Sequence, residues 1–281
     1  MAEHLKACVI GFPVAHSRSP LIHGFWLEKY GIEGAYLKEE IHPDDFSSFI
    51  KSLGLRGYVG ANVTLPHKEA ALDCADLVDE AAKSVGAANT LWIEGDKLCA
   101  SNTDIYGFMT HLELSSPQWG DQSRPVAFLG AGGAARAVIR GLLDHGVPEI
   151  RIFNRTRARA EALKDFFGQR LHVYDWGDRS EMLSDCGLLI NGTQLGMMGG
   201  AVLDIDLRRL PGDATVYDIV YTPLETPLLK SASQLGLKTV DGLGMLLHQA
   251  VPGFEKWFGV RPEVTKELKA LIVADLEAAQ C

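Results

Sequence analysis

Along the first hundred residues, short apolar or β-branched runs alternate with stretches of helical period. Ala7–Ile10, Tyr36–Ile41 and Tyr58–Val63 read as strands, and Pro20–Tyr30 and Asp44–Leu53 as helices. Ser19-Pro20 and His42-Pro43 mark two helix starts, because proline's missing N–H costs nothing in the first turn, and Gly31 and Gly54 mark the ends. A helix from about Asp104 to Leu114 follows. A second alternation then runs through strand Val126–Leu129, helix Gly133–His145, strand Glu149–Phe153, helix Thr156–Phe167, and strands Leu171–Tyr174, Leu188–Asn191 and Thr215–Val220. Beyond Gly242 the pattern is helical again, through Met245, Leu246 and Gln249 and then from about Glu263 to Ala279.

This order predicts an α/β protein of two domains. An N-terminal α/β domain covers 1–106 and is completed by C-terminal helices at about 247–281. A Rossmann-like, doubly wound parallel domain covers 107–246. The stretch SSPQWGDQSRP at 115–125 is the visible compositional break, rich in Ser, Gly and Pro. A length of 281 residues suits two cores better than one.

Composition narrows the partners. With 47% hydrophobic and 22% charged residues the chain should fold as a globule. A net charge of -9, with no Lys/Arg cluster, argues against nucleic acid as a partner. The cysteines Cys8, Cys74, Cys99, Cys186 and Cys281 are scattered without a CxxC pair or metal-ligand spacing, so reduced thiols and no metal are expected. The segment MAEHLKACVIGF lacks a basic leader with a long apolar region, and no apolar run suits a bilayer; the expected location is the cytoplasm.

The strongest chemical signal is VAFLGAGGAARAVIRGLL: a buried strand, a GxGxxA turn and an amphipathic helix whose first N–H groups would face a pyrophosphate. Gly130 permits the tight turn, Gly132 lets a phosphate approach the backbone, and Ala135 allows close helix–strand packing; Ala131, Gly133 and Ala134 complete the loop. The next strand would end in an acid if it held an unmodified ribose 2′-hydroxyl. Here it reads Phe153-Asn154-Arg155-Thr156, with Arg159 one turn later. Arg155 and Arg159 would instead clamp a 2′-phosphate, which selects NADP over NAD.

The first domain must then supply substrate contacts and a proton. Its polar residues fall where an α/β sheet exposes strand ends: Ser17 and Ser19 in HSRSP, Asn62, Thr64 and Lys68 in NVTLPHK, Asn89 in AANT, and Asn102 and Asp104 in SNTD. Hydroxyls and amides suit recognition of hydroxyl and carboxylate groups, with Lys68 and Asp104 as the proton-handling pair. Taken singly, each has a structural reading: helix caps for Ser17, Ser19 and Asp104, a turn for Asn89, solvated surface for Lys68, Gln249, Arg155 and Arg159.

Taken in order, GxPxxHSxSP, NVTxPxK, GAxNT, NTD, GAGGAxR, FNRT, DxxYxP and GxxMLxxQ run over nearly the whole chain, which resembles the shikimate dehydrogenase family of aromatic amino-acid biosynthesis. The resemblance implies NADP in the second domain and substrate between the two. Ser17, Ser19, Asn62, Thr64, Asn89, Tyr221 and Gln249 would contact shikimate, and Lys68 and Asp104 would be catalytic. It also implies Ile219, Gly242 and Met245 near the nicotinamide, with Glu80 and Thr193 near the cofactor. Two departures stand out: NGTQLGM puts Gln194 where the family commonly has serine, and Ile105 replaces a glycine after NTD.

The implied reaction is the reversible reduction of 3-dehydroshikimate to shikimate. Lys68 would protonate the ketone oxygen, Asp104 would orient Lys68 and a substrate hydroxyl, and closure about the linker would exclude water. Two alternatives are a relaxed quinate/shikimate dehydrogenase using NAD, which Arg155-Thr156 disfavours, and a non-catalytic metabolite sensor, which the presence of Lys68 and Asp104 disfavours. A homodimer through the first domain is compatible with the sequence, though the hydrophobic pattern does not demand one.

Overall fold

In the computed structural model, the early alternation folds as β1 (Leu5–Gly11), α1 (Ser19–Tyr30), β2 (Gly34–Glu40), α2 (Pro43–Lys51) and β3 (Tyr58–Val63). Next come α3 (Lys68–Cys74), β4 (Leu77–Val78), α4 (Glu80–Val85), β5 (Thr90–Glu94), β6 (Lys97–Ser101) and α5 (Asp104–Ser115). The second alternation gives β7 (Val126–Leu129), α6 (Ala135–Asp144), β8 (Ile150–Phe153), α7 (Arg157–Phe167), β9 (Leu171–Tyr174), β10 (Leu188–Asn191), β11 (Thr215–Asp218), α8 (Pro227–Gln234) and β12 (Lys238–Val240). The chain finishes with α9 (Leu243–Phe258) and α10 (Lys266–Ala278). The structure describes residues 5–117, 119 and 123–279; part of the 115–125 stretch, Cys281 and the first four residues lie outside them.

These elements form two compact units, Met1–Ile105 with Leu247–Cys281, and Tyr106–Leu246. The first holds a six-stranded sheet in the order β2-β1-β3-β5-β6-β4. β1 pairs in parallel with β2 and β3, but β5 runs antiparallel to both β3 and β6. The β5–β6 hairpin, turning at Gly95 with φ 65°, was not among the predicted strands. The core beside this sheet is built from Ile10, Phe46, Phe49, Leu53, Val63 and Leu91.

The second unit is a fully parallel sheet in the order β12-β11-β10-β7-β8-β9, with β12 an addition to the predicted strands. Neighbours of β7 are β8 on one side and β10 on the other, so the strand order reverses there, which is the doubly wound arrangement. β7, β8, β10 and β11 are buried along their whole length, as a sheet covered on both faces requires. No helix of the described residues is long and apolar enough to cross a membrane.

The C-terminal helix α9 is pinned to the first sheet by Trp257, whose indole Nε1 donates to the Leu91 carbonyl at 2.8 Å. The indole lies over Gly60 of β3, where a Cβ would run into both Trp257 Nε1 and the Leu91 carbonyl. Gly60→Ala should therefore overpack the site and destabilise the protein by about 1–3 kcal/mol. A lowered urea midpoint at constant m-value would report this; an unchanged midpoint would show that the helix moves aside freely.

Candidate active site

The antiparallel turn of β5 is what gathers the first unit's polar residues. β1 and β3 run parallel, so Ser17 and Ser19 after β1 and Thr64 and Lys68 after β3 leave the same sheet edge. Because β5 runs the other way, its beginning, Asn89-Thr90, lies opposite Asn62, and Thr90 in turn faces Ser101 at the end of β6. Three strand ends and one strand beginning thus share an edge. The chain leaves β1 for β2 on one side while β3 sits on the other, so this edge is a switch point, where α/β sheets bind ligands.

Local bonds fix each group there. The Thr64 N–H donates to the Ile10 carbonyl at 2.9 Å, and a Cβ on Gly11 would sit 2.5 Å from Thr64 Cγ2, so a side chain at residue 11 would displace the threonine. His67 is buried and stacked on Phe46 with ring centroids 4.4 Å apart; its Nε2–H donates to the Ile41 carbonyl at 2.8 Å. Burial holds its imidazole below the ordinary histidine range, so it is a neutral anchor. Lys68 is the next residue and the first of α3. Ser17 Oγ accepts the Ser19 N–H at 3.3 Å, while Arg18, the N-cap residue, makes no side-chain cap bond.

Lys68 Nζ lies 2.5 Å from Asp104 Oδ2 with both side chains largely buried. Asp104 Oδ1 accepts from Asn89 Nδ2 at 2.8 Å, and Asn102 Oδ1 accepts the Asp104 N–H at 3.1 Å. The capping duty at α5 thus falls to Asn102, which leaves the Asp104 carboxylate for Lys68 and Asn89. Asn62 is buried and its amide is engaged within the unit: Oδ1 accepts from the Tyr36 hydroxyl at 2.6 Å, and Nδ2 donates to the Asn89 carbonyl and Thr90 Oγ1. Gln249 is buried on α9. Glu80 opens α4, is exposed, and pairs with Lys83 at 2.9 Å, apart from this hydrogen-bonded group.

In the second unit the glycine turn sits where β7 and β10 end side by side. Gly130 has φ 109°, and its N–H donates to the Phe153 carbonyl at 2.8 Å. A Cβ there would be 3.0 Å from the Gly192 carbonyl group, so positive φ and close approach both demand glycine. Gly132 and Gly133 are exposed, and Ala135 is buried at the head of α6. Thr193 Oγ1 donates to Asn191 Oδ1 at 2.7 Å and accepts the Leu195 N–H; Gln194 beside it is exposed. A Cβ on Gly242 would collide with the Ile219 carbonyl, so these two residues are adjacent, and Met245 is buried on α9. Tyr221 follows β11.

At the end of β8, Asn154 Nδ2 donates to the Thr156 carbonyl at 2.7 Å. Arg155 and Arg159 are exposed, and their side chains make no hydrogen bond or ion pair among the described residues. Arg157 between them is already neutralised by Asp175 at 2.6 Å and Glu161 at 3.0 Å. Two unneutralised cations and no acid at this strand end fit a dinucleotide carrying a 2′-phosphate.

Comparison with known proteins agrees with this geometry. Residues 9–91 match the shikimate dehydrogenase substrate binding domain, 115–196 the shikimate/quinate 5-dehydrogenase model, and 242–271 the shikimate 5′-dehydrogenase C-terminal domain. The NADP(+) shikimate dehydrogenase of Brucella abortus (strain S19) is 53% identical, the match covering 99% of this chain and 97% of that one. This chain belongs to the shikimate dehydrogenase family. It is an oxidoreductase with an NADP-binding Rossmann-like domain. The shikimate 5-dehydrogenase of Thermus thermophilus in complex with NADP(H) and shikimate superposes with a TM-score of 0.82 at 35% identity, covering 98% of both chains. Quinate dehydrogenase from Corynebacterium glutamicum in complex with NAD reaches 0.90 at 29% identity, covering 96% of this chain and 99% of that one. The fold is therefore shared by solved proteins that bind either cofactor.

Sequence reasoning passed over three groups that hold these loops. Asp218, buried at the end of β11, accepts from Thr226 Oγ1 at 2.6 Å, Asn191 Nδ2 at 2.9 Å and the Val220 N–H at 3.0 Å, joining the two loops that carry Thr193 and Ile219. Burial pushes its carboxyl up to about 6 against the pull of those donors. In the first unit, Tyr36 and Thr90 do comparable work. The only signal for Asp218 and Thr90 was membership of the DxxYxP and GAxNT runs; Tyr36 had none beyond a strand position.

Proposed function

We propose that the chain reduces 3-dehydroshikimate to shikimate, and reverses that reaction, with Lys68 and Asp104 as its catalytic residues. NADPH, when bound, supplies the hydride that turns the ketone carbon into an alcohol carbon. Lys68, as an ammonium, donates to the ketone oxygen and delivers the proton that completes the hydroxyl; in the oxidative direction the same amine takes it back. Asp104 and Asn89 hold Lys68 and a neighbouring substrate hydroxyl in line. Ser17 and Ser19 receive the substrate carboxylate, with Thr64, Tyr221 and Gln249 completing the substrate contacts. Asn62, whose amide is engaged with Tyr36, Asn89 and Thr90, supports this set from beneath.

The dinucleotide is held by Gly130, Ala131, Gly132, Gly133, Ala134 and Thr193, and its 2′-phosphate by Arg155 and Arg159 with Asn154 and Thr156. Ile219, Gly242 and Met245 are assigned to the nicotinamide end, and Glu80 to the cofactor.

The observation that carries this reading is the Lys68–Asp104–Asn89 cluster at a sheet switch point. The test follows reduced-nicotinamide absorbance with shikimate, quinate or no substrate, each with NADP and with NAD. Shikimate with NADP should give kcat/KM roughly 10-fold or more above any other pairing, the scale of one lost charge-assisted hydrogen bond. Faster turnover of quinate with NAD would support the relaxed alternative, and no turnover at all the sensor.

A further inference from the structure

The buried polar side chains of the first unit form one line. The line starts at the Tyr36 phenol, which donates to Asn62 Oδ1 at 2.6 Å. Asn62 Nδ2 donates to Thr90 Oγ1 at 3.3 Å, and Thr90 donates to Asn89 Oδ1 at 3.0 Å. Asn89 Nδ2 donates to Asp104 Oδ1 at 2.8 Å, and the other oxygen of that carboxylate meets Lys68 Nζ at 2.5 Å. From Tyr36 to Asp104 every donor points the same way. The line ends on a carboxylate, which accepts and cannot donate.

This polarity decides how two amides stand. An amide can flip, exchanging its donor and acceptor ends, unless its partners forbid it. The phenol, giving its only proton to Asn62, fixes that oxygen toward Tyr36 and therefore the NH2 toward Thr90. Thr90, with its oxygen occupied by Asn62, gives its proton to Asn89 Oδ1, and together with the Thr103 N–H at 2.8 Å this keeps the NH2 of Asn89 on Asp104. The Thr103 hydroxyl adds a third contact to Asn89 Oδ1 at 3.1 Å and lies 3.0 Å from Thr90 Oγ1. Tyr36 is itself immobile. Its ring stacks on His23 with centroids 4.0 Å apart and planes within 11°, and burial keeps the phenol protonated far above neutral pH.

The structure assigns Tyr36 and Thr90 as positioning residues: through Asn62 and Asn89 they set one hydrogen-bond polarity that ends on the Asp104–Lys68 pair, which handles the proton and holds a substrate hydroxyl. This rests on the substrate and catalytic roles proposed above. Within such a network the links strengthen one another, so breaking one disturbs the hold on Asp104 and Lys68.

Tyr36→Phe keeps the stacked ring and removes the phenol. It should raise KM for shikimate and lower kcat by about 3- to 10-fold each, the scale of one neutral hydrogen bond, and leave KM for NADP unchanged. Thr90→Val should do the same, and Thr90→Ser, which restores a hydroxyl, should recover most of the loss. The double variant Tyr36→Phe/Thr90→Val should be scarcely worse than either single one, because one broken link already releases the line. If Tyr36→Phe does not fold, the Thr90→Val and Thr90→Ser pair carries the test. Wild-type constants in the Thr90→Val or Tyr36→Phe enzyme, no recovery in Thr90→Ser, or losses that multiply in the double variant would overturn the inference. Ser19→Ala and Lys68→Ala run alongside keep the two levels apart. If they too leave shikimate oxidation intact, the underlying assignment fails, and if they impair it while Tyr36 and Thr90 variants do not, only the line does.

Discussion

Replacing Lys68 by alanine will lower kcat for shikimate oxidation by about 100- to 10,000-fold, the usual contribution of a positioned acid–base group, with KM for shikimate changed far less. The asymmetry follows from when the interaction acts. The ammonium meets most charge on the substrate oxygen as the hydride moves, so its loss falls on the transition state more than on binding. The substrate contacts proposed for Ser17, Ser19, Thr64 and Asn89 remain to hold the ground state. Removing the lysine also leaves Asp104, a carboxylate with little access to water, with Asn89 as its remaining side-chain partner. Thermal stability should therefore be measured beside the rate, and the kinetic loss should persist well below the melting midpoint. A variant with wild-type kcat and only a raised KM would move the proton-handling role elsewhere.

The second large effect concerns cofactor choice. Arg155→Ala/Arg159→Ala should raise KM for NADP roughly 10- to 100-fold, as expected for charge-assisted bonds to a dianion, while the constants for NAD stay near wild type. Both side chains are exposed. Their attraction for a phosphate should then be screened, so the gap between wild type and variant will narrow as salt is raised. Equal losses with NADP and NAD would instead indicate a damaged β8–α7 loop. Arg157→Ala is the matched control, because its guanidinium is already held by Asp175 and Glu161.

What the chain disclosed in advance depended on how local each signal was. The glycine turn was legible because strand, φ-positive glycine and helix follow within a few residues, and Gly130 alone satisfies the turn. Parallel strands buried on both faces, such as Leu188–Asn191, announce themselves as apolar runs. The Thr90–Glu94 and Lys97–Ser101 strands did not, because each holds an apolar run of only three residues between polar ends and their partners lie on β3 and on each other. β12 is three residues long with only Val240 buried, too short for any period.

The site divides the same way. Lys68, Asp104 and Asn89 could be named because their types suit proton handling and hydroxyl recognition and sit in loops. Tyr36 could not, since a tyrosine in a strand is normally core, and its meaning arises from Asn62, which approaches it from another strand. The reversed direction of β5 was equally hidden. No residue in AANT states that its strand runs backward, yet that reversal carries Asn89 to the edge shared with Thr64 and Asp104.

The interrupted course of the first unit also sets an order on its making. A ribosome releases Tyr106–Leu246 as one continuous stretch, so the nucleotide-binding sheet has all its strands before the last helices exist. The sheet that carries Lys68 must wait with one face covered only by α1 until Trp257 reaches Leu91 and the Glu263 carbonyl reaches Trp26 Nε1. The unit that begins before the nucleotide-binding sheet is thus completed after it.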